Sequence, residues 1–454
     1  MKQFYTVRLD PFVISISHYN DLLLIARTYS NMTLMSEESV FRQQNQLLPD
    51  SVAASSLILK SQFSFVSDGI DGTIVRLFCH TASFLAHNTT FSNSLFEEKT
   101  FESPQTLSDL SNNFIKCVFS DCSSSSNGGS LSASYTVLTS SFDLILRDNQ
   151  FSSSKSDRNG GAVAVILDGS TNEECRLTVD IEHCIFSNTA ARTGEGGGVF
   201  INVQGDSKCC GSIAIRAKSE FNDSSSTIGG CICSSRSTTQ CHSLMLDDSF
   251  VESSHAEMDG TIAHEVSLSS TSSFTATSFL SYNCSSSLGG SFVFVIHKYL
   301  SISVTSSTFT RSTSTACGGC IAINQNNSAS NFHCVMVLSD LDIRNCSAQL
   351  RGGFFHLDQG QNDFEGEYVI SCDNTNATSC SSRDYGGFFS IHQAGSVNPK
   401  MSSSTITSLS SGGFGAFIYC PASYQQVFAV ALTIALSHWS ISKDVQFLWS
   451  ATLS

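Results

Sequence analysis

Cysteines, paired carboxylates and histidines are the residues of this 454-residue chain whose spacing could carry chemistry. Cys317-Gly318-Gly319-Cys320 has the separation of redox pairs, in which a thiol at a helix start is activated by a lowered pKa. Here the pair runs into Ile321-Ala322-Ile323, an extended apolar alternation, so the helix that such a pair needs is missing. Cys209, Cys210, Cys231, Cys233, Cys241 and His242 offer soft metal ligands, and Cys231 and Cys233 fall on one face of a strand. The plainer reading of both groups is that cysteines fill small-residue slots, with room for one disulfide. Asp247-Asp248 is an adjacent carboxylate pair of the kind that polysaccharide-cleaving enzymes gather on one face. Three residues before a recurring aromatic stand Lys116, Asp148, His183, Lys218, Asp247 and Ala276, the nearest approach to a stacked catalytic set. Opposite charges offsetting one another on neighbouring strands explain that alternation without catalysis. His264, His356 and His392 lie near apolar strands in different registers and read as satisfied core or surface histidines. No residue is assigned a catalytic, cofactor-binding or metal role, no cofactor is expected, and the chain reads as a non-enzyme.

The elements that must position these residues come from a repeat. A small pair, nearly always Gly-Gly, recurs ten times at intervals of about 32 residues, its second member being Gly129, Gly161, Gly197, Gly230, Gly260, Gly290, Gly319, Gly353, Gly387 and Gly413. Two residues later stand Leu131, Val163, Val199, Ile232, Ile262, Phe292, Ile321, Phe355 and Phe389, and a third column two further on is also mostly apolar. Spacing by two is strand periodicity. About nine residues before each pair runs a second column, Phe119, Phe151, Phe186, Phe221, Phe250, Phe279, Phe309 and Ile343, preceded in turn by alternating apolar stretches such as Leu144 with Leu146. Helical repeats of this length need long runs rich in Ala, Leu, Glu and Lys, which are absent. Three short strands per unit satisfy their backbones only if the chain coils and each strand pairs in parallel with its copy one unit later. The fold class expected is therefore all-β, a parallel β-helix of about ten to twelve coils with three short strands per coil.

Composition narrows the partners. Charged residues are 14% of the chain, Ser and Thr about a quarter, and the net charge is −15, so the exposed faces are hydroxyl surfaces. Without a Lys/Arg cluster the electrostatic drive for nucleic-acid binding is missing. The longest nearly apolar run, 427–436, is too short to cross a bilayer as a helix. Sequons at Asn31, Asn88, Asn222, Asn283, Asn326, Asn345 and Asn376 are about as many as chance supplies. The eighteen cysteines are too diffuse to fix a redox compartment.

Three regions are expected: an N-terminal cap or degenerate segment over 1–60, with a short helix at 36–48; the β-helix over 61–420, its first coils worn; and a C-terminal coil or cap over 421–454. The amino terminus makes a poor secretion signal, leaving another export route or a lost start as alternatives.

Gly160-Gly161-Ala162-Val163, the looser pairs at the other positions and the Phe column resemble the polymorphic outer membrane protein repeat, Gly-Gly-Ala-apolar with Phe-x-x-Asn. The resemblance covers about two-thirds of the chain. It departs at the Asn, where Cys122, Ser154, Thr189, Ser224, Ser253, Tyr282, Ser312 and Cys346 stand three residues after each column member. The family's bacterial members carry a C-terminal membrane barrel that the residues from Pro421 onward are too few to supply. The resemblance implies a right-handed parallel β-helix of pectin-lyase-like shape, at the cell surface or in the extracellular space, used for adhesion or display. The expected function is non-catalytic binding of a surface glycan or protein along a lateral face. A carbohydrate-active β-helical lyase or hydrolase, and a structural repeat region of a larger surface protein, are the alternatives.

Overall fold

A computed structural model describes residues 110–136, 141–169, 175–205, 209–236, 241–266, 271–296, 299–325, 332–358, 366–392, 396–413 and 417–419, together with short strands before residue 100 and at 429–430. The chain divides into two compact units, Met1–Leu244 and Met245–Ser454. Each is a β-solenoid of four sheets whose strands pair in parallel from coil to coil, with no helix among the described residues.

One coil of the first unit shows the construction. Ser141–Arg147 lies in the first sheet, Gln150–Ser152 in the second, Lys155–Ser156 in the third and Val163–Gly169 in the fourth. Each pairs in parallel with its equivalent one coil on: Arg176–Glu182, Ile185–Ser187, Ala190–Ala191 and Val199–Gly205. Four strands per coil replace the three expected. The extra strand has only two to five residues, too few for an alternation to register in sequence. About eight turns bury their inward columns. The same four-strand pattern is present over 241–266.

Two corners of the coil are made by left-handed residues. Asp148 and Ser153 have φ of 55° and 52°, and the equivalent places in other coils are mostly Asp, Asn and Ser, whose short polar side chains tolerate that region. The third corner is the Gly pair, whose members have separate reasons. Gly160 needs a φ of +68°, whereas a Cβ on Gly161 would run into the Gly197 carbonyl of the next coil. Just past it, the amides of Ser130 and Leu131 both donate to the Ala162 carbonyl, a bulge that lets two successive residues face the interior.

The Phe column needs correction at two places. In the second sheet Phe250 pairs with Leu280 while Val251 pairs with Ser281, and Ser281 pairs with Phe309. Val251 and Ser281 therefore hold the inward place, and Phe250 and Phe279 are displaced from it by one and two residues. Towards the amino terminus the register runs further than the sequence column, aligning Phe41, Phe63, Phe91 and Phe119. The helix expected over 36–48 is contradicted where it is described: Met32–Glu37 and Val40–Arg42 are strands. Tyr5–Leu9 pairs antiparallel with Phe12–Ile16 and with Met32–Glu37. The proposed C-terminal cap lies almost wholly outside the described residues.

Candidate functional site

The residues singled out for chemistry are dispersed by the coil. Cys320 is buried, and Cys317 has its thiol pushed up to about 11, chiefly by burial. Burial raises Cys320 as well, the opposite of what activates a redox thiol. Cys231 occupies the small-residue column after the Gly pair, whereas the Cys233 thiol lies 3.3 Å from the Glu195 carboxylate. Nearby His242 is buried with Nε2 2.6 Å from the Ser234 hydroxyl, and Cys210 is disulfide-bonded. No metal-holding cluster of three ligands is found among the described residues. His264 points inward against Phe274, at 6.0 Å between rings. His356 is buried one register place before the His264 column, its Nε2 3.9 Å from Asp358, and His392 lies in a strand one place after that column.

The stack of charges is a corner column. Lys116, Asp148, His183 and Lys218 all have positive φ, and the fifth and sixth places are Asp248 and Ser278. Asp247 is on the neighbouring strand and Ala276 is buried. His183 Nδ1 is 3.7 Å from Asp148 one coil away on an exposed corner.

The Ser/Thr/Cys ladder is also shifted in two coils. Its members are Cys122, Ser154, Thr189 and Ser224 in the first unit, and Ser254, Cys284, Ser312, Cys346 and Cys380 in the second, all buried. Ser253 and Asn283 are left-handed corner residues and Tyr282 faces outward. Hydroxyls satisfy one another inside the coil: Ser130 to Ser154 at 2.6 Å, Thr189 to Ser224 at 2.9 Å, and Ser291 to Ser281 and Ser312 at 2.7 and 2.8 Å. In the second unit burial and the contact with Cys320 hold the Cys346 thiol well above the ordinary thiol value, and the contact with Cys346 followed by burial does the same for Cys380.

What remains is the outward side of the first sheet. In the first unit it carries Asp143, Arg147, Arg176, Asp180, Glu182 and Arg216, tied by Arg147–Glu182 at 2.8 Å and by Arg216–Asp180 at 3.0 and 2.7 Å. In the second unit the same side carries Ser273, Thr275 and Thr277 on one strand and Tyr299, Ser301, Ser303 and Thr305 on the next. Tyr299 then pairs in register with His333, and His333 with Glu367. The Tyr299 and His333 rings stack at 5.6 Å with 18° between planes, and His333 Nδ1 is 3.1 Å from Glu367. Sequence reasoning did not find this group, since its members are 34 residues apart and belong to no motif. The repeat period was the one signal that aligned them.

Comparison with protein-family models, with curated proteins and with solved structures finds no match to this chain. No helix among the described residues is long and apolar enough to cross a membrane.

Proposed function

We propose that this chain is a non-catalytic β-solenoid of the cell surface or extracellular space that binds glycan along a lateral face. The observation carrying the reading is the outward side of two adjacent strands of the second unit, where six half-buried, uncharged hydroxyls from Ser273 to Thr305 stand in rows set by the strand spacing of about 4.8 Å. A neutral glycan offers hydroxyls that exchange donors and acceptors with such rows and carries no charge that would need a counter-ion. The resemblance to the polymorphic outer membrane protein repeat supports the location and the adhesive or display role, with Ser, Thr and Cys in place of the family's Asn ladder. The disulfide at Cys210 fits an oxidising compartment.

Applying the purified chain to an array of immobilised glycans tests this directly, with selective retention of one glycan class expected. Retention of none would remove the reading, and release of new reducing ends or unsaturated products would replace it with a carbohydrate-cleaving activity.

A further inference from the structure

We propose that Tyr299, His333 and Glu367 form a sugar-stacking subsite for a neutral glycan. The inference rests on the glycan-binding reading above and locates it. Three successive strands of the first sheet place these side chains in one outward column. Half-exposed Tyr299 and His333 stack in near-parallel planes, one ring over the other, so the platform they offer is the outward part of the pair. A pyranose has an apolar face of ring C–H groups and a polar rim, and an aromatic surface with polar tips matches both. The contact between His333 Nδ1 and Glu367 fixes the plane of the imidazole. With Nδ1–H donating to the carboxylate, Nε2 is left as an acceptor for a sugar hydroxyl.

The surroundings choose the class of ligand. Along the first two of these strands the platform continues into Ser301, Ser303 and Thr305 on one and Val335, Val337 and Ser339 on the other, with no acid or base, while the third carries Val369, Ser371 and Asp373 outward. An acidic polymer would meet Glu367 at the platform and a chain of net charge −15, with no Lys or Arg on these strands to offset it. A protein partner would leave the hydroxyl rows to find matching polar groups one by one, whereas a glycan supplies them at every residue.

The test measures binding of the full chain to neutral probes (cello-oligosaccharides, mannan and a β-1,3-glucan) and to two acidic ones (polygalacturonate and heparin), by titration calorimetry. The unaltered chain is expected to bind a neutral probe and neither acidic one. Tyr299→Ala and His333→Ala should each weaken that binding about tenfold, while Tyr299→Phe, which keeps the ring, should stay within about twofold. Arg176→Ala, on the first sheet of the first unit, should leave it unchanged. Melting curves confirm that each variant folds, as expected for half-exposed positions. If a neutral probe binds and both alanine variants bind as well as the unaltered chain, the subsite is wrong and the glycan reading stands elsewhere on the molecule. Preference for an acidic probe overturns the ligand class, and binding of no probe overturns subsite and reading together.

Discussion

The two units share one backbone plan and fill it in opposite ways. In the first, Phe91, Phe119, Phe151, Phe186 and Phe221 stack ring on ring at 4.5 to 4.8 Å with planes within 7° of parallel. Beside them the column after the Gly pair is kept small, as Ser130, Ala162, Gly198 and Cys231, and a Cβ on Gly198 would press against the Phe221 ring. In the second unit the aromatic column breaks into Val251, Ser281, Phe309, Ile343 and Ala377. Where it shrinks, its neighbour grows: Phe354 sits beside Ile343 in its coil and Phe388 beside Ala377, and those rings stack at 5.1 Å. Where both are serine, Phe279 and Phe292 close over the gap at 5.0 Å. A coil of fixed circumference holds a fixed volume, so a large side chain in one column requires a small one in the other. The outward side differs as well, laced by Arg–carboxylate pairs in the first unit and rich in hydroxyls on strands 271–277 and 299–305 of the second.

The largest expected effect tests this trade of volume. Phe186→Ala removes the ring between Phe151 and Phe221 and should cost about 4 kcal/mol in denaturant unfolding. In the second unit, Phe388→Ala should cost a similar amount, and Ala377→Phe about 2 kcal/mol through overpacking. The double variant should be clearly more stable than the sum of those losses implies, because each change fits the other's space. Strict additivity would show that the two columns do not compensate.

A smaller effect separates the units by their thiols. Burial raises Cys334 to about 12 and Cys372 to about 11 in the second unit, with Cys284, Cys320, Cys346 and Cys380 raised as well; in the first unit burial brings Cys184 to about 12. The unfolded thiols release protons near 9, so above that pH the folded state holds more protons than the unfolded one. The stabilisation from keeping these thiols neutral is full below pH 9 and is lost as pH climbs towards 11 to 12. Unfolding midpoints measured from pH 8 upward should fall, and Cys334→Ala with Cys372→Ala should flatten the fall. An unchanged slope in that variant would mean that alkaline loss arises elsewhere.

The smallest effect concerns the ion-paired face. Arg216→Ala should cost less than about 1 kcal/mol despite its two-pronged contact with Asp180, because the guanidinium side chain is 42% exposed. The loss should shrink further in high salt. A cost of several kcal/mol would make that face a structural element on a par with the Phe stack.

Much of the fold was legible because identical needs recur in every coil. Val163 and its equivalents must face inward, Gly160 must turn left-handed and Gly161 must let the next coil approach, so composition repeats at those places. The errors came where the core trades volume between columns. Phe250 and Phe279 were counted as column members because an aromatic near the right place looks like the right place, while the true occupants, Val251 and Ser281, carry no large side chain to announce themselves. The same slip moved the corner column onto Asp247 and Ala276 and the hydroxyl ladder onto Ser253 and Tyr282. The candidate site was less legible still: Tyr299, His333 and Glu367 are of ordinary types at ordinary intervals.

By itself the sequence determined that short strands recur with a fixed period and must pair with their own copies, since no other arrangement satisfies the backbone of strands so short. The tertiary structure alone decided the fourth strand of each coil, which residue of each aromatic neighbourhood fills the core, and which outward side chains meet. Those depend on register, and a shift of a single place, invisible in a list of residue types, turns a side chain from the interior to the surface.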